Sequence, residues 1–307
     1  MFSFLKNTKK SFVLTAEGVT GGVPCTVICG SEEGRTAVLT AGVHSREYVG
    51  VGALTRLAGE LEPADVNGRV IILHCLNYRG FIVRSADVLP EDGMNLNRVF
   101  PPKGDKSPSA LFADFLCREI ISRADILVDL HSGGFCEELT PHVYFQSATS
   151  PEVCRISERL ARLTSARYIV RSSSVNGFYG HAGTMGVPAI ILERGGVGLW
   201  TEEEVNASFM DALNILRGTG FVEGEAREYS HTLIERGYYE DSPLDGCWYP
   251  AKRAGEIAEE GELLGMVKDI FGSELLRVTA KERGVILYQT ASLGIEKGSP
   301  MVAYGGV

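Results

Sequence analysis

The run Ala37-Val38-Leu39-Thr40-Ala41-Gly42-Val43-His44-Ser45-Arg46-Glu47 decides how the rest of the chain is read. Residues 37–41 are short, apolar and partly β-branched, the pattern of a buried strand, and Gly42 interrupts it. An imidazole and a carboxylate then follow, three residues apart, as an amphipathic stretch begins at residue 46. On a helix that spacing puts both side chains on one side. Open α/β sheets bind their ligands in loops at the carboxyl ends of strands, so this junction is a candidate site.

Further strand patterns cover residues 25–29, 69–74, 126–130, 142–145, 167–170 and 189–192. Helical periodicity covers 46–61, 109–122, 151–164 and 202–216, with Thr201 before Glu204 forming a capping box. Short β-branched runs alternating with longer amphipathic ones predict an α/β fold, a mainly parallel mixed sheet flanked by helices. Residues 77–108 lack periodicity, and a connection that long inside a compact domain is usually functional. Beyond Gly218 the texture becomes short strand-like pieces punctuated by glycine, which predicts a small C-terminal all-β domain. The division expected is 1–220 for a catalytic domain and 221–307 for the β domain. Its hairpin rhythm looks like the biotinyl/lipoyl type of sandwich but lacks a Met-Lys-Met acceptor, so no carrier role is expected.

Composition narrows the function. The 307 residues are 44% hydrophobic and 22% charged, which excludes a disordered or collagen-like chain. Thirty basic against thirty-nine acidic residues give a net charge of −9, without a basic stripe, so no nucleic-acid partner is expected. Apolar runs such as 70–73 and 189–192 are far short of the roughly 18 residues a membrane span needs. The basic N-terminus carries no apolar leader, so a cytoplasmic protein is expected. Seven cysteines without a repeated CxxC pair read as reduced structural thiols, Cys25 and Cys29 included.

A second histidine, His131, closes the run Asp129-Leu130-His131. Together His44, Glu47 and His131 form a two-His, one-carboxylate set, which suits catalytic zinc with a position left for water. His and Glu three apart also describe plain solvated surface, and the second histidine segment is what favours the metal. Asp129 lies on the same strand face as His131, either orienting a metal-bound imidazole or standing as a strand-end acid. Glu193 ends an apolar strand before Arg194-Gly195-Gly196, as a base for water or as a solvated acid. Arg84 and the run from Asp92 to Pro101, with Asn97 and Arg98, offer donors for a carboxylate or carbonyl. His74, His142 and His231 read as core or surface, whereas His181 is a candidate to line the cleft. Tyr179 and Trp200 either shape a pocket or pack the core.

With these residues in place the chain resembles the succinylglutamate desuccinylase/aspartoacylase family of zinc amidohydrolases, whose fold is similar to that of the zinc carboxypeptidases. The resemblance spans most of residues 20–217. Its anchors are the Gly42–Glu47 run, Asn95-Leu96-Asn97-Arg98 with Phe100-Pro101, Asp129-Leu130-His131, and Glu193 with its glycines. It implies one Zn2+ held by His44, Glu47 and His131, Glu193 as general base, and Arg84 polarising the scissile carbonyl. It also implies that Asn97 and Arg98 hold a substrate carboxylate, and that the β domain covers the cleft. Better known members carry an arginine shortly before the base glutamate. Residues 177–192 contain none, offering Tyr179 and His181 instead, with Arg171 the nearest upstream replacement. The expected activity is deacylation of an N-acyl amino acid or related small N-acyl compound, with a homo-oligomer compatible. The alternatives are a metallocarboxypeptidase acting on short peptides and a catalytically inactive metal-binding protein.

Overall fold

A computed structural model describes residues 3–307. The N-terminal part runs β1 (Thr8–Leu14), β2 (Val23–Cys29), β3 (Thr36–Ala41), α1 (Val49–Glu60), β4 (Arg69–Leu73), α2 (Tyr78–Val83) and α3 (Pro108–Glu119). It continues with β5 (Ile126–His131), β6 (Glu137–Leu139), β7 (His142–Gln146), α4 (Pro151–Arg162), β8 (Tyr168–Ser172), α5 (Gly177–Thr184), β9 (Ala189–Glu193), α6 (Glu202–Gly218) and β10 (Thr232–Ile234). Nine strands form one mixed sheet in the order β1-β2-β4-β3-β5-β9-β7-β8-β10. Its centre, β4-β3-β5-β9, is parallel.

Alternation along the strands divides the core between two faces. Val38, Leu127, Ala189 and Ile191 pack on the side of α3 and α5, against Phe112, Phe115, Phe178 and Tyr179. Leu39, Val128, Leu130, Ile190 and Leu192 pack against α1, α4 and α6. Strands buried on both faces need continuous apolar runs, which is why residues 37–41 and 189–192 look as they do. Thr201 caps α6 as its sequence suggests, its hydroxyl accepting the Glu204 amide at 3.2 Å. No helix among the described residues is long and apolar enough to cross a membrane.

The remaining strands are β11 (Gly237–Asp241), β12 (Gly246–Pro250), β13 (Ile257–Ala258), β14 (Leu263–Lys268), β15 (Glu274–Thr279), β16 (Gly284–Thr290), β17 (Gly294–Ile295) and β18 (Pro300–Gly306). They make two further sheets, β11-β18-β16-β13 and β15-β14-β12-β17, around a core containing Trp248, Leu264, Val267 and Tyr304. Two connections stitch this part to the large sheet. β10, beyond residue 220, pairs in parallel with β8 as the large sheet's edge. β6, from the loop after His131, pairs antiparallel with β16, matching Glu137 with Thr290 and Glu138 with Gln289.

One core residue makes the fold sensitive to acid. His142 is 1% exposed; its Nδ1–H donates to the Thr140 carbonyl (2.7 Å), and its Nε2 is buried without a partner among the described residues. Burial pushes the imidazole down to about 4 from an ordinary 6.5. The neutral form therefore contributes stability above pH 6.5 that is lost as pH falls towards 4. His142→Gln removes this titration. Its melting temperature should fall less steeply between pH 6.5 and 4 than that of the wild type, and parallel slopes would contradict this account.

Candidate metal centre and its surroundings

The centre is built where β3 and β5 end. After Ala41 the chain turns at Gly42, in a left-handed conformation (φ +63°) where an added Cβ would stand 2.5 Å from Cys75 Sγ. This tight passage leads His44 back over the sheet edge. α1 begins only at Val49, so His44 and Glu47 lie on the turn before it, closed by a Glu47 N–H···O contact to His44 of 3.4 Å. The helical spacing expected for this pair is thus replaced by a turn with the same outcome. His131 is the last residue of β5, beside Glu193 in the parallel register of β5 and β9. Alternation puts Thr40, Asp129, His131 and Glu193 on the face that carries α3 and α5.

Glu47 stands between the two imidazoles. One carboxylate oxygen is 2.7 Å from His44 Nδ1 and the other 2.9 Å from His131 Nδ1, and the latter also accepts the Ser132 amide at 3.3 Å. The opposite nitrogen of each ring is held from behind. His131 Nε2 meets Asp129 Oδ2 at 2.9 Å, while Thr40 donates its hydroxyl to Asp129 Oδ1 at 2.6 Å. His44 Nε2 meets Asn95 Oδ1 at 3.3 Å. Both rings therefore turn Nδ1 towards one point, and one donor atom from each of His44, Glu47 and His131 lies within 4.8 Å of the others.

The electrostatics match that geometry. Burial opposes ionisation of Glu47, but the two imidazoles overcome it and bring the carboxyl down to about 2. Burial likewise disfavours the charged form of His131, yet Asp129 and Glu47 raise it well above the usual imidazole range. Such a nest of buried anions calls for positive charge at its centre. A divalent cation would answer that need, and the N, N, O donor set is one that zinc accepts.

Glu193 is the next acid. Burial pushes it up to about 8; His131 works against this, and Glu47 and Glu137 add to it. The next residue, Arg194, donates to Asp211 of α6 at 2.8 Å in a buried ion pair. Tyr144, half-buried on β7, is hydrogen-bonded to Tyr239 of β11 and lies within electrostatic reach of Glu193. Tyr288 of β16 is similarly close to Glu137, Tyr239 and Arg98. The C-terminal sheets thus deliver two phenols to the same region.

Other expected site residues are placed unevenly. Tyr179 is buried near Glu193 and Tyr239, its hydroxyl donating to Ser172 at 2.7 Å. Asn97 accepts the Phe178 amide at 2.7 Å, securing the start of α5, and exposed Arg98 faces Tyr288. Arg84 is an exposed left-handed residue closing α2; three residues later Asp87, not Arg84, comes within reach of His44 and Glu47. Arg171 is not brought to the centre. Strand alternation turns it to the opposite face, over Phe145 and beside Glu158 of α4, with Glu235 at 2.7 Å. His181 turns away from Tyr179 towards Phe100 and pairs with Thr184 at 2.9 Å, and Trp200 is exposed.

Thr40, Asp87, Glu137, Tyr144, Tyr239 and Tyr288 were not singled out as site residues by the sequence, and Asn95 stood there only within the Asn95–Arg98 anchor. A polar residue inside an apolar strand run was the available clue to Thr40. The Glu137-Glu138 pair just after Gly133-Gly134 was the clue to Glu137.

If Asp129 orients His131, Asp129→Asn should weaken zinc binding about 10–100-fold, the usual cost of losing such a partner. Competition against a chromogenic chelator measures this. Unchanged affinity would show that the Asp129–His131 contact is irrelevant to the centre.

Comparison with known proteins agrees with this architecture. The model of the succinylglutamate desuccinylase/aspartoacylase catalytic domain matches residues 33–218. An N-alpha-acetyl-L-2,4-diaminobutyric acid deacetylase from Halomonas elongata is 28% identical over 299 residues, covering 93% of this chain and 86% of the relative. A succinylglutamate desuccinylase/aspartoacylase from Rhodobacter sphaeroides superposes with a TM-score of 0.87 at 26% identity, over 100% of this chain and 97% of the other. The product-bound ectoine utilization protein EutE (DoeB) from Ruegeria pomeroyi gives 0.88 at 25% identity, over 100% and 98%. The chain belongs to the succinylglutamate desuccinylase/aspartoacylase family.

Proposed function

We propose that the protein is a zinc-dependent amidohydrolase that removes the acyl group from an N-acyl amino acid, on a zinc carboxypeptidase-like fold. The observation that carries this reading is the convergence of His44 Nδ1, Glu47 and His131 Nδ1 next to Glu193, a half-buried carboxyl with a raised pKa. The Halomonas relative, named for deacetylating N-alpha-acetyl-L-2,4-diaminobutyric acid, supports an acylated amino acid as the substrate class.

His44, Glu47 and His131 would hold the metal. When bound, zinc supplies Lewis acidity to the attacking water and to the scissile carbonyl. Glu193 takes the proton from that water and delivers it to the departing amine, its raised pKa letting it hold the proton between the two transfers. Arg98, with the free amide nitrogen of Asn97, receives the substrate carboxylate. Residues 1–220 carry the chemistry, and 221–307 cover the cleft through Tyr239 and Tyr288, which limits access to small substrates. Seven free cysteines, five of them buried, are consistent with a cytoplasmic setting.

Glu193→Gln keeps the side-chain shape but cannot accept the proton. Turnover of an N-acetyl amino acid should fall on the order of 10²-fold or more, while zinc content stays at one per chain. Wild-type turnover with zinc bound would sink the mechanism. Release of the C-terminal residue from dipeptides, faster than release of acetate from N-acetyl amino acids, would favour a carboxypeptidase instead.

A further inference from the structure

Two tyrosines meet across the join between the large sheet and the C-terminal sheets, one row of side chains behind Glu193. Tyr144 stands opposite Ile191 in the β7–β9 register, and Ile191 and Glu193 share a face. Tyr144 is hydrogen-bonded to Tyr239 of β11. Alternation along β11 brings Tyr239 there. Tyr238 turns into the C-terminal core and stacks on Tyr304 at 4.8 Å, so Gly237 and Tyr239 take the other face. That face is turned to the large sheet: an ideal Cβ on Gly305, the cross-strand partner of Gly237, would stand 2.5 Å from Ile234 Cγ2 of β10.

Gly237 makes room for the Tyr239 ring. A Cβ at 237 would lie 2.9 Å from the Tyr239 hydroxyl and 3.0 Å from its Cε2, so the phenol lies back along its own strand. Its hydroxyl is held by Tyr144, yet Tyr239 is 51% exposed, which leaves a fixed aromatic surface open. The surroundings of that surface are those of the site. Tyr179 and Tyr288 lie within electrostatic reach of Tyr239; Tyr179 and Tyr144 are also within reach of Glu193, and Tyr288 is within reach of Arg98.

Strand order decides which half of a substrate meets this ring. His131 ends β5, Glu193 ends β9 and Tyr144 is on β7, and the three strands are neighbours in that order. With the scissile carbonyl at the metal ligands and the departing nitrogen at Glu193, the amine half continues towards β7. Arg98, assigned above to the substrate carboxylate, is near Tyr288 on the same side.

Resting on the deacylase reading above, we propose that Tyr239, pinned by Tyr144, is the wall that limits the side chain of the N-acylated amino acid. The enzyme is then selective for amino acids with small side chains. Tyr239 touches the substrate, and Tyr144 is a positioning residue that acts through it.

The test compares kcat/KM of the zinc-loaded full chain for Nα-acetyl-L-alanine and Nα-acetyl-L-phenylalanine. The wild type should prefer the alanine compound by about 10-fold or more, the scale on which the fit of a pocket discriminates. Tyr239→Ala opens the wall and should bring that ratio to about 3-fold or less. Tyr144→Phe and Tyr239→Phe delete the same hydrogen bond, so each should lower the ratio about threefold or more, the scale of one such contact. The double phenylalanine variant should do no more than either single one, because both act through one contact. These two variants lose one oxygen each and decide the matter if Tyr239→Ala does not fold. A merely structural contact would alter the melting temperature or the overall rate and leave the ratio where it was. Equal kcat/KM for the two compounds in the wild type overturns the proposal, and so does a wild-type ratio in Tyr239→Ala or in the phenylalanine variants. If none of these proteins cleaves either compound, the deacylase reading falls and binding decides the wall. Calorimetry should then show free L-phenylalanine binding about tenfold or more tighter to Tyr239→Ala than to the wild type, and equal or absent binding overturns the proposal.

Discussion

A single buried carboxylate, Glu47, shared between His44 Nδ1 and His131 Nδ1, is the contact on which the rest of the centre depends. It joins the turn after β3 to the end of β5, two segments that the parallel sheet has already brought side by side. Neither imidazole is free to rotate, because Asp129 and Asn95 hold the far nitrogens. The sheet supplies position, the outer polar partners supply ring orientation, and burial makes the cluster demand a cation. Removing Asp129 would leave buried His131 with only one of its two carboxylate partners.

The same loops are braced from the second part of the chain. β6, from the loop after β5, joins the β16 sheet. Ala291 donates to the Cys136 carbonyl (2.6 Å), Thr140 donates to that of Leu287 (2.9 Å), and Gln289 donates to Glu138 (2.8 Å). Glu137, on β6, is therefore placed by a strand some 150 residues away in the sequence, as the separation of Gln289 and Glu138 shows. The C-terminal sheets thus help to shape the surroundings of the centre. Mutations at the β6–β16 ladder should be read as changes to the site and not only to stability.

How much of this could be read from the sequence depended on where each residue's partners lie. The central strands were legible because burial on both faces demands apolar runs, and His44, His131 and Glu193 were legible because each follows such a run. β1, with the half-exposed sequence Thr-Lys-Lys-Ser-Phe-Val-Leu, lacks that signal and was missed. α5 was missed too, since glycines at 177, 180 and 183 argue against a helix. Its stability comes from elsewhere: Asn97 accepts the Phe178 amide, and Gln146 donates to the carbonyls of Ser174 and Gly180 (2.8 and 3.0 Å). Arg171 illustrates the converse. As the nearest arginine upstream of residues 177–192 it was offered for a site role, but strand alternation turns it to the α4 face. Asp87, Tyr239 and Tyr288 carry no local pattern at all, and only the folded chain brings them to the centre.

The central claim is that His44, Glu47 and His131 are a metal site. Crystals of the zinc-loaded protein, measured on both sides of the zinc absorption edge, test it directly. The account predicts one anomalous peak at about 2.0–2.2 Å from His44 Nδ1, His131 Nδ1 and a Glu47 oxygen. A peak elsewhere, with Glu47 still paired only to the two imidazoles, would contradict it.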